Sequence, residues 1–187
     1  MAVATLSSCT TPQPLHLAEF ERILASEASA TAALTKWCLK RGIANPPAIT
    51  AQRVLSEEVP PPPTILTLLR PDAGEHIAYR HVRLVCGEAV LSMAQNWYVA
   101  DRLTPEMNQV LATSDAPFGR VIAALGFTRE LLASEHGHTL VCPVDTILTQ
   151  RALLRLADGR PISAVIECYT SANLEDRVSI DPSALEP

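Results

Sequence analysis

Residues 79–99 read Y-R-H-V-R-L-V-C-G-E-A-V-L-S-M-A-Q-N-W-Y-V. Two apolar-rich runs, Tyr79–Cys86 and Val90–Val99, flank a short Gly87-Glu88-Ala89 turn, which is the pattern of an antiparallel hairpin. Side chains alternate along a strand, so Arg80 shares a face with Val82, Leu84 and Cys86. A guanidinium there is costly to bury unless it meets an anion; the other reading is an edge strand whose Arg points into water. Residues 151–169, R-A-L-L-R-L-A-D-G-R-P-I-S-A-V-I-E-C-Y, repeat the plan around an Asp158-Gly159 turn. Arg80 precedes Tyr98 by the same interval at which Arg151 precedes Tyr169. Laid on each other, the two hairpins place Asn96 opposite Glu167, a lone carboxylate in an otherwise apolar strand. One hairpin thus offers a cation and the other an anion, both where core residues are expected.

Outward from the hairpins, the chain alternates helix and strand signals without a β/α repeat. Leu17, Phe20 and Leu24 recur at helical spacing within Leu15–Ala25, and Thr31–Leu39 continues helical up to a stop at Gly42. Pro46-Pro47 breaks the chain. Ile49–Val59 reads as a strand that Pro60–Pro63 ends; the alternative there is a proline-rich ligand segment for another domain. Thr104-Pro105-Glu106 opens a helix with a capping Thr, a first-turn Pro and an acid, ending near Thr113. A second short helix spans Asp115–Leu125, with Asp115 as cap and Gly126 as stop. Phe127–Ser134 alternates like a strand, and Leu140–Leu148 reads as another. Hairpins with helices set apart from them make this α+β. The expected organisation is a loosely held segment at 1–14, one domain at 15–175, and a tail at 176–187.

Composition bounds the partners. The chain has 187 residues, 48% hydrophobic, with net charge −5. That suffices for one core, and Lys40-Arg41 is the densest basic run, so no nucleic-acid partner is expected. No stretch is long enough to span a bilayer, so no membrane partner is expected either. The N-terminus lacks the basic and apolar regions of a signal peptide. Cys9, Cys38, Cys86, Cys142 and Cys168 are odd in number and contain no C-x-x-C, which reads as free, mostly buried thiols in the cytoplasm.

Five segments, in order, resemble the chorismate pyruvate-lyases. R-H-V-R-L before a Gly turn is similar to that family's Arg strand, and A-P-F-G-R at Ala116–Arg120 to its T-P-x-G-R segment. F-T-R-E-L-L at 127–132 resembles its T-R-D-F strand. D-G-R-P-I-S-A-V-I-E-C-Y resembles its G-K-P-L-L-L-T-E-L-F strand, which ends on the site Glu. L-T-K at Leu34–Lys36, with Gly42 beyond it, is similar to M-T-K…G. The resemblance covers roughly Leu34 to Ala172. It implies a single α+β domain in which an antiparallel sheet of about six strands encloses a ligand site under helical flaps. The Leu15–Leu39 helices would belong to that cover and gate ligand exit.

The chemistry implied is elimination of pyruvate from chorismate to give 4-hydroxybenzoate. Aromatisation drives that reaction, so the protein needs to hold the dianion, exclude water and move a proton, without metal or organic cofactor. By the resemblance, Arg80 pairs with the ring carboxylate, completed by the backbone amides of Leu34 and Phe118. Glu167 contacts the ring hydroxyl, and its apolar setting is expected to raise its pKa toward acid/base use. Asn96 stands where the family has a second site Arg, with Arg83, Arg151 and His81 as candidate substitutes. The alternative is a non-catalytic effector-binding protein of the same fold. Such domains form the sensing half of certain repressors. Only about thirty residues precede Leu34, in an acidic segment without a basic recognition helix, which favours a stand-alone binder over a repressor. Either way the expected partner is an aromatic or cyclohexadiene carboxylate, taken by a monomer or weak oligomer. His136-Gly137-His138 lacks a third metal ligand. Cys86 and Cys142 lack a neighbouring base. Ser92 and Ser163 stand outside any G-x-S-x-G elbow.

Overall fold

The computed structural model describes residues 13–54 and 59–175. Six strands form one antiparallel sheet: β1 (Ile49–Arg53), β2 (Ile77–Cys86), β3 (Ala89–Val99), β4 (Thr128–His136), β5 (Thr146–Arg155) and β6 (Pro161–Thr170). Their order is β1-β2-β3-β6-β5-β4. The two hairpins read from sequence are β2–β3 and β5–β6. They abut through β3 and β6, so the residues singled out on each share one sheet. Gly87 makes the first turn at φ +58°, a left-handed conformation that glycine adopts without steric cost. The single-domain α+β architecture is the one the sequence led us to expect.

Among the described residues five α-helices accompany the sheet: α1 (Gln13–Ser26), α2 (Ala30–Lys40), α3 (Pro63–Leu69), α4 (Pro105–Thr113) and α5 (Phe118–Val121). Ser29 caps α2, its Oγ accepting from Ala32 N at 3.1 Å, and Gly42 follows its end at φ +59°. Thr104 caps α4 in the same way, accepting from Met107 N. The α1–α2 pair packs Phe20, Leu34 and Trp37 onto Ile49, Leu91, Leu148 and Tyr169 of the sheet. The opposite face carries a smaller cluster under α3, where Ile65 and Leu69 meet Trp97, Leu153 and Ala164. Arg102 staples the α3 side. Its Nε and Nη2 donate to the two oxygens of Glu75, and its remaining donors reach the carbonyls of Leu69, Arg70 and Pro161.

Several expectations are corrected. The first strand ends at Arg53, and its expected extension over 55–58 lies outside the described residues, as do 1–12 and 176–187. Pro62 and Pro63 do not merely end a strand: Pro63 opens α3 at the first helical position, where a missing N–H costs nothing. Leu140–Leu148 is not a separate strand. Turns closed by Cys142 N to Thr139 O and Thr146 N to Pro143 O fill it, and β5 begins at Thr146. Asp115 does not cap α5; Pro117 precedes that helix, and Asp115 O instead accepts from Ala51 N on the outer side of β1. The reading of free thiols is also corrected. Cys38 on α2 is disulfide-bonded to Cys86 at the end of β2, and Cys142 to Cys168 on β6. Those partners are 48 and 26 residues apart, and only the packing of helix and loop onto the sheet brings them together. Cys9 lies outside the described residues. Among the described residues, no helix is long and apolar enough to cross a membrane.

Candidate functional site

A small cavity of about 50 Å³ lies between the sheet and the N-terminal turn of α2, with α5 at its side. Arg80, Asn96, Phe118 and Glu167 all line it, so four of the five residues named from sequence converge. Strand register explains this. Arg80 faces Asn96 across β2–β3, and Asn96 faces Val165 across β3–β6. Glu167 is two residues beyond Val165 and so on the same face. Asn96 is thus opposite Arg80 and Val165 rather than Glu167, whose neighbours are Ala94 and Gln150. Apolar walls come from Val82, Leu84, Ala94, Leu154 and Val165.

Arg80 is 6% exposed. Its Nη1 and Nη2 donate to the carbonyls of Ala116 and Ser114, at 3.1 and 3.2 Å, while its buried Nε has no partner. Among the described residues no carboxylate lies within 4 Å of it. Its pKa is lowered, first by burial and then by Arg53, with Tyr98 and Asp115 opposing. Two carbonyls fix where this cation sits without neutralising it.

Glu167 is not isolated in apolar surroundings, which corrects the sequence reading. Arg129 Nη2 donates to Glu167 Oε2 at 2.6 Å and to Gln150 Oε1 at 2.9 Å, with both charged side chains under a tenth exposed. Tyr169 O–H donates to the same Oε2 at 3.0 Å. Burial opposes the charge on Arg129, but Glu167 and Tyr169 outweigh it and raise its pKa. Tyr169 is pushed well above the usual phenol range by burial and then by Glu167, so it stays a neutral donor. Asn96 Oδ1 accepts from Ser163 Oγ, which leaves its amide N–H groups for the cavity.

Leu34 is placed elsewhere. Its side chain is fully buried in the α1–α2 core and does not line the cavity. As the fifth residue of α2, its N–H lies past the turn whose amides lack intrahelical partners. Ser29, Ala30 and Thr31, one turn earlier, line the cavity instead. Gly119 lets α5 approach them: a Cβ there would meet Ser29 Cβ at 2.9 Å. None of the three candidate substitutes for the absent Arg lines the cavity. Arg83 is exposed, Arg151 is exposed beside Glu135, and His81 is half-buried. The residue sequence reasoning missed is Arg129. It stood in plain view within F-T-R-E-L-L, as the cation on the cavity side of a mostly exposed strand.

No family model matches the chain. It is 41% identical over 173 residues to the uncharacterized protein y4mC of Sinorhizobium fredii, covering 81% of this chain and 72% of that protein. Among solved structures, PhnF from Mycobacterium smegmatis superposes with a TM-score of 0.53 at 13% identity, over 84% of this chain and 70% of PhnF. The separate effector domain of PhnF superposes at 0.51 and 13% identity, over 77% of this chain and 89% of the domain. The possible transcriptional regulator YydK from Bacillus subtilis gives 0.47 at 16% identity; the match takes in 71% of this chain, which spans 62% of YydK. At 13% identity, the likeness to the two PhnF structures shows a shared fold.

Proposed function

The chain belongs to one family with the uncharacterized y4mC, and from the cavity itself we propose that it binds a small aromatic or cyclic carboxylate as an effector-type ligand, without turning it over. One observation carries this reading: Arg80, a buried cation with an unpartnered Nε, lines a cavity and has no carboxylate of the described residues within 4 Å. A carboxylate supplied by a ligand would satisfy it. The fold shared with the effector domain of PhnF supports a binding role. So does the engagement of Glu167 with Arg129 and Tyr169, which occupies the group that lyase chemistry would need free.

Titration of the purified protein with benzoate, 4-hydroxybenzoate and chorismate, followed by calorimetry, tests the reading. Binding of a monocarboxylate is expected. Arg80→Gln should weaken it about ten- to a hundredfold, since a charge-assisted hydrogen bond contributes roughly 1.5–3 kcal/mol. Absence of binding by all three acids at millimolar concentration would refute the proposal. Turnover of chorismate is the second reading, favoured by Arg80 and Glu167 lining one cavity. Appearance of 4-hydroxybenzoate absorbance in the same samples would establish it.

Asn96 gives a further check. Its Cα partner is Arg80, so Asn96→Arg sets a second cation beside the first. Chorismate, a dianion, should then gain about tenfold relative to 4-hydroxybenzoate, the gain a single charge-assisted contact supplies. An unchanged ratio would mean that position 96 does not face the ligand.

A further inference from the structure

The carboxylate reading uses one end of the cavity; the other end carries a second arginine that it leaves unexplained. Arg80 is on β2 and Arg129 on β4, with β3, β6 and β5 between them. Four strand spacings, about 19 Å along the sheet, part their backbones, and the two side chains converge on one cavity from opposite sides. Both guanidinium groups carry a buried Nε–H with no acceptor. Orphaned donors of charged groups are expensive inside a protein, and two of them on side chains that line one cavity call for acceptors on what fills it. Nη2 of Arg129 already serves Glu167 and Gln150, while its Nε has no acceptor among the described residues.

Charge decides what kind of acceptor that is. Arg80, Arg129 and Glu167 are the charged side chains lining the cavity, and they sum to a single positive charge. One ligand carboxylate neutralises it. A second would leave an uncompensated negative charge in an apolar enclosure, which is strongly unfavourable. Resting on the carboxylate reading of the same cavity, we propose that Arg129 is a specificity-determining residue. It reads an uncharged acceptor oxygen, such as an amide or ketone carbonyl, hydroxyl or ether, on the ring acid at the end away from its carboxylate. Glu167, its built-in counterion, turns dianions away.

Three probes test this: benzoate; 4-carbamoylbenzoate, which adds a neutral carbonyl at the far end; and terephthalate, nearly isosteric with it, in which a second carboxylate replaces that group. In the wild-type protein, 4-carbamoylbenzoate should bind about tenfold tighter than benzoate, and terephthalate weaker than either. Arg129→Gln combined with Glu167→Gln keeps the cavity charge at one and should bring the carbamoyl-to-benzoate preference below threefold. Glu167→Gln alone should improve terephthalate relative to benzoate about tenfold. The pairing of variants guards against misfolding, because the double substitution leaves no buried charge unpaired at that end. A carbamoyl preference that survives the double substitution overturns the proposal, as does a terephthalate ratio unmoved by Glu167→Gln. If wild type binds none of the three, the carboxylate reading itself fails. If benzoate binds in an Arg80-dependent way while the ratios ignore Arg129, only the specificity role fails.

Discussion

Replacing Arg102 by Ala is expected to cost about 3–5 kcal/mol of folding stability, the range found when one partner of a buried ion pair is removed. The Arg102 side chain is 3% exposed. It holds Glu75 through two oxygens and reaches the carbonyls of Leu69, Arg70 and Pro161. The variant leaves a carboxylate and three carbonyls without their donor. Urea unfolding at neutral pH reads the effect, and a loss under about 1 kcal/mol would contradict it. The pH dependence has a defined sign. The hydrogen bond from Arg102 is foremost in holding the Glu75 carboxyl below the usual carboxylate range. Its stabilisation is therefore fully present above the unfolded-state value, about 4.3, and fades as pH falls through the lowered folded value. Arg102→Ala should flatten that acid limb.

Trp37→Ala should cost about 3–5 kcal/mol as well, here through a cavity. Trp37 is fully buried, its ring 5.2 Å from that of Phe20, and its Nε1 donates to Asn173 O at 3.1 Å. For a chain of this length the melting temperature should fall by about 6–20 °C. The damage should also reach the site. Phe20 stacks edge-on against Tyr169 at 5.2 Å, and Tyr169 holds Glu167. Ligand affinity measured well below the new melting point should therefore weaken too. A variant with an unchanged melting curve would show that α2 is not anchored by this ring.

The hairpins were legible because period-two alternation and Gly turns report local geometry, and both flanks of Gly87 and Asp158-Gly159 gave that signal. Arg80 and Glu167 stood out for a related reason: a charge at a core-facing position of a strand violates the pattern that the rest of the strand obeys. Arg129 escaped because its strand is exposed along nearly its whole length. A cation in T-R-E-L-L-A-S-E-H breaks no pattern, and only the β4–β5 pairing turns it inward. Leu34 misled in the opposite direction. A short motif located the helix correctly, but the end of α2 that meets the cavity is set by Ser29, which the motif does not contain. The disulfides were illegible because parity and spacing of cysteines carry no information about which helix or loop packs onto which strand. Reading 60–63 as a strand end missed α3, since a proline that ends one element is equally suited to begin a helix.

The strand order has a consequence for how the site could change over time. Arg80 and Glu167 rest on strands bonded on both sides, whereas β4, which carries Arg129, is paired only with β5. Outer strands with few buried contacts open locally at lower free energy than the centre of a sheet, and they accept substitutions at less cost to the whole. One wall of the cavity is therefore conservative and the other plastic. A lineage carrying this domain could keep its hold on the ligand's acid group while exchanging residue 129 to suit a different ring substituent, provided the buried charge of Glu167 is compensated in the same step.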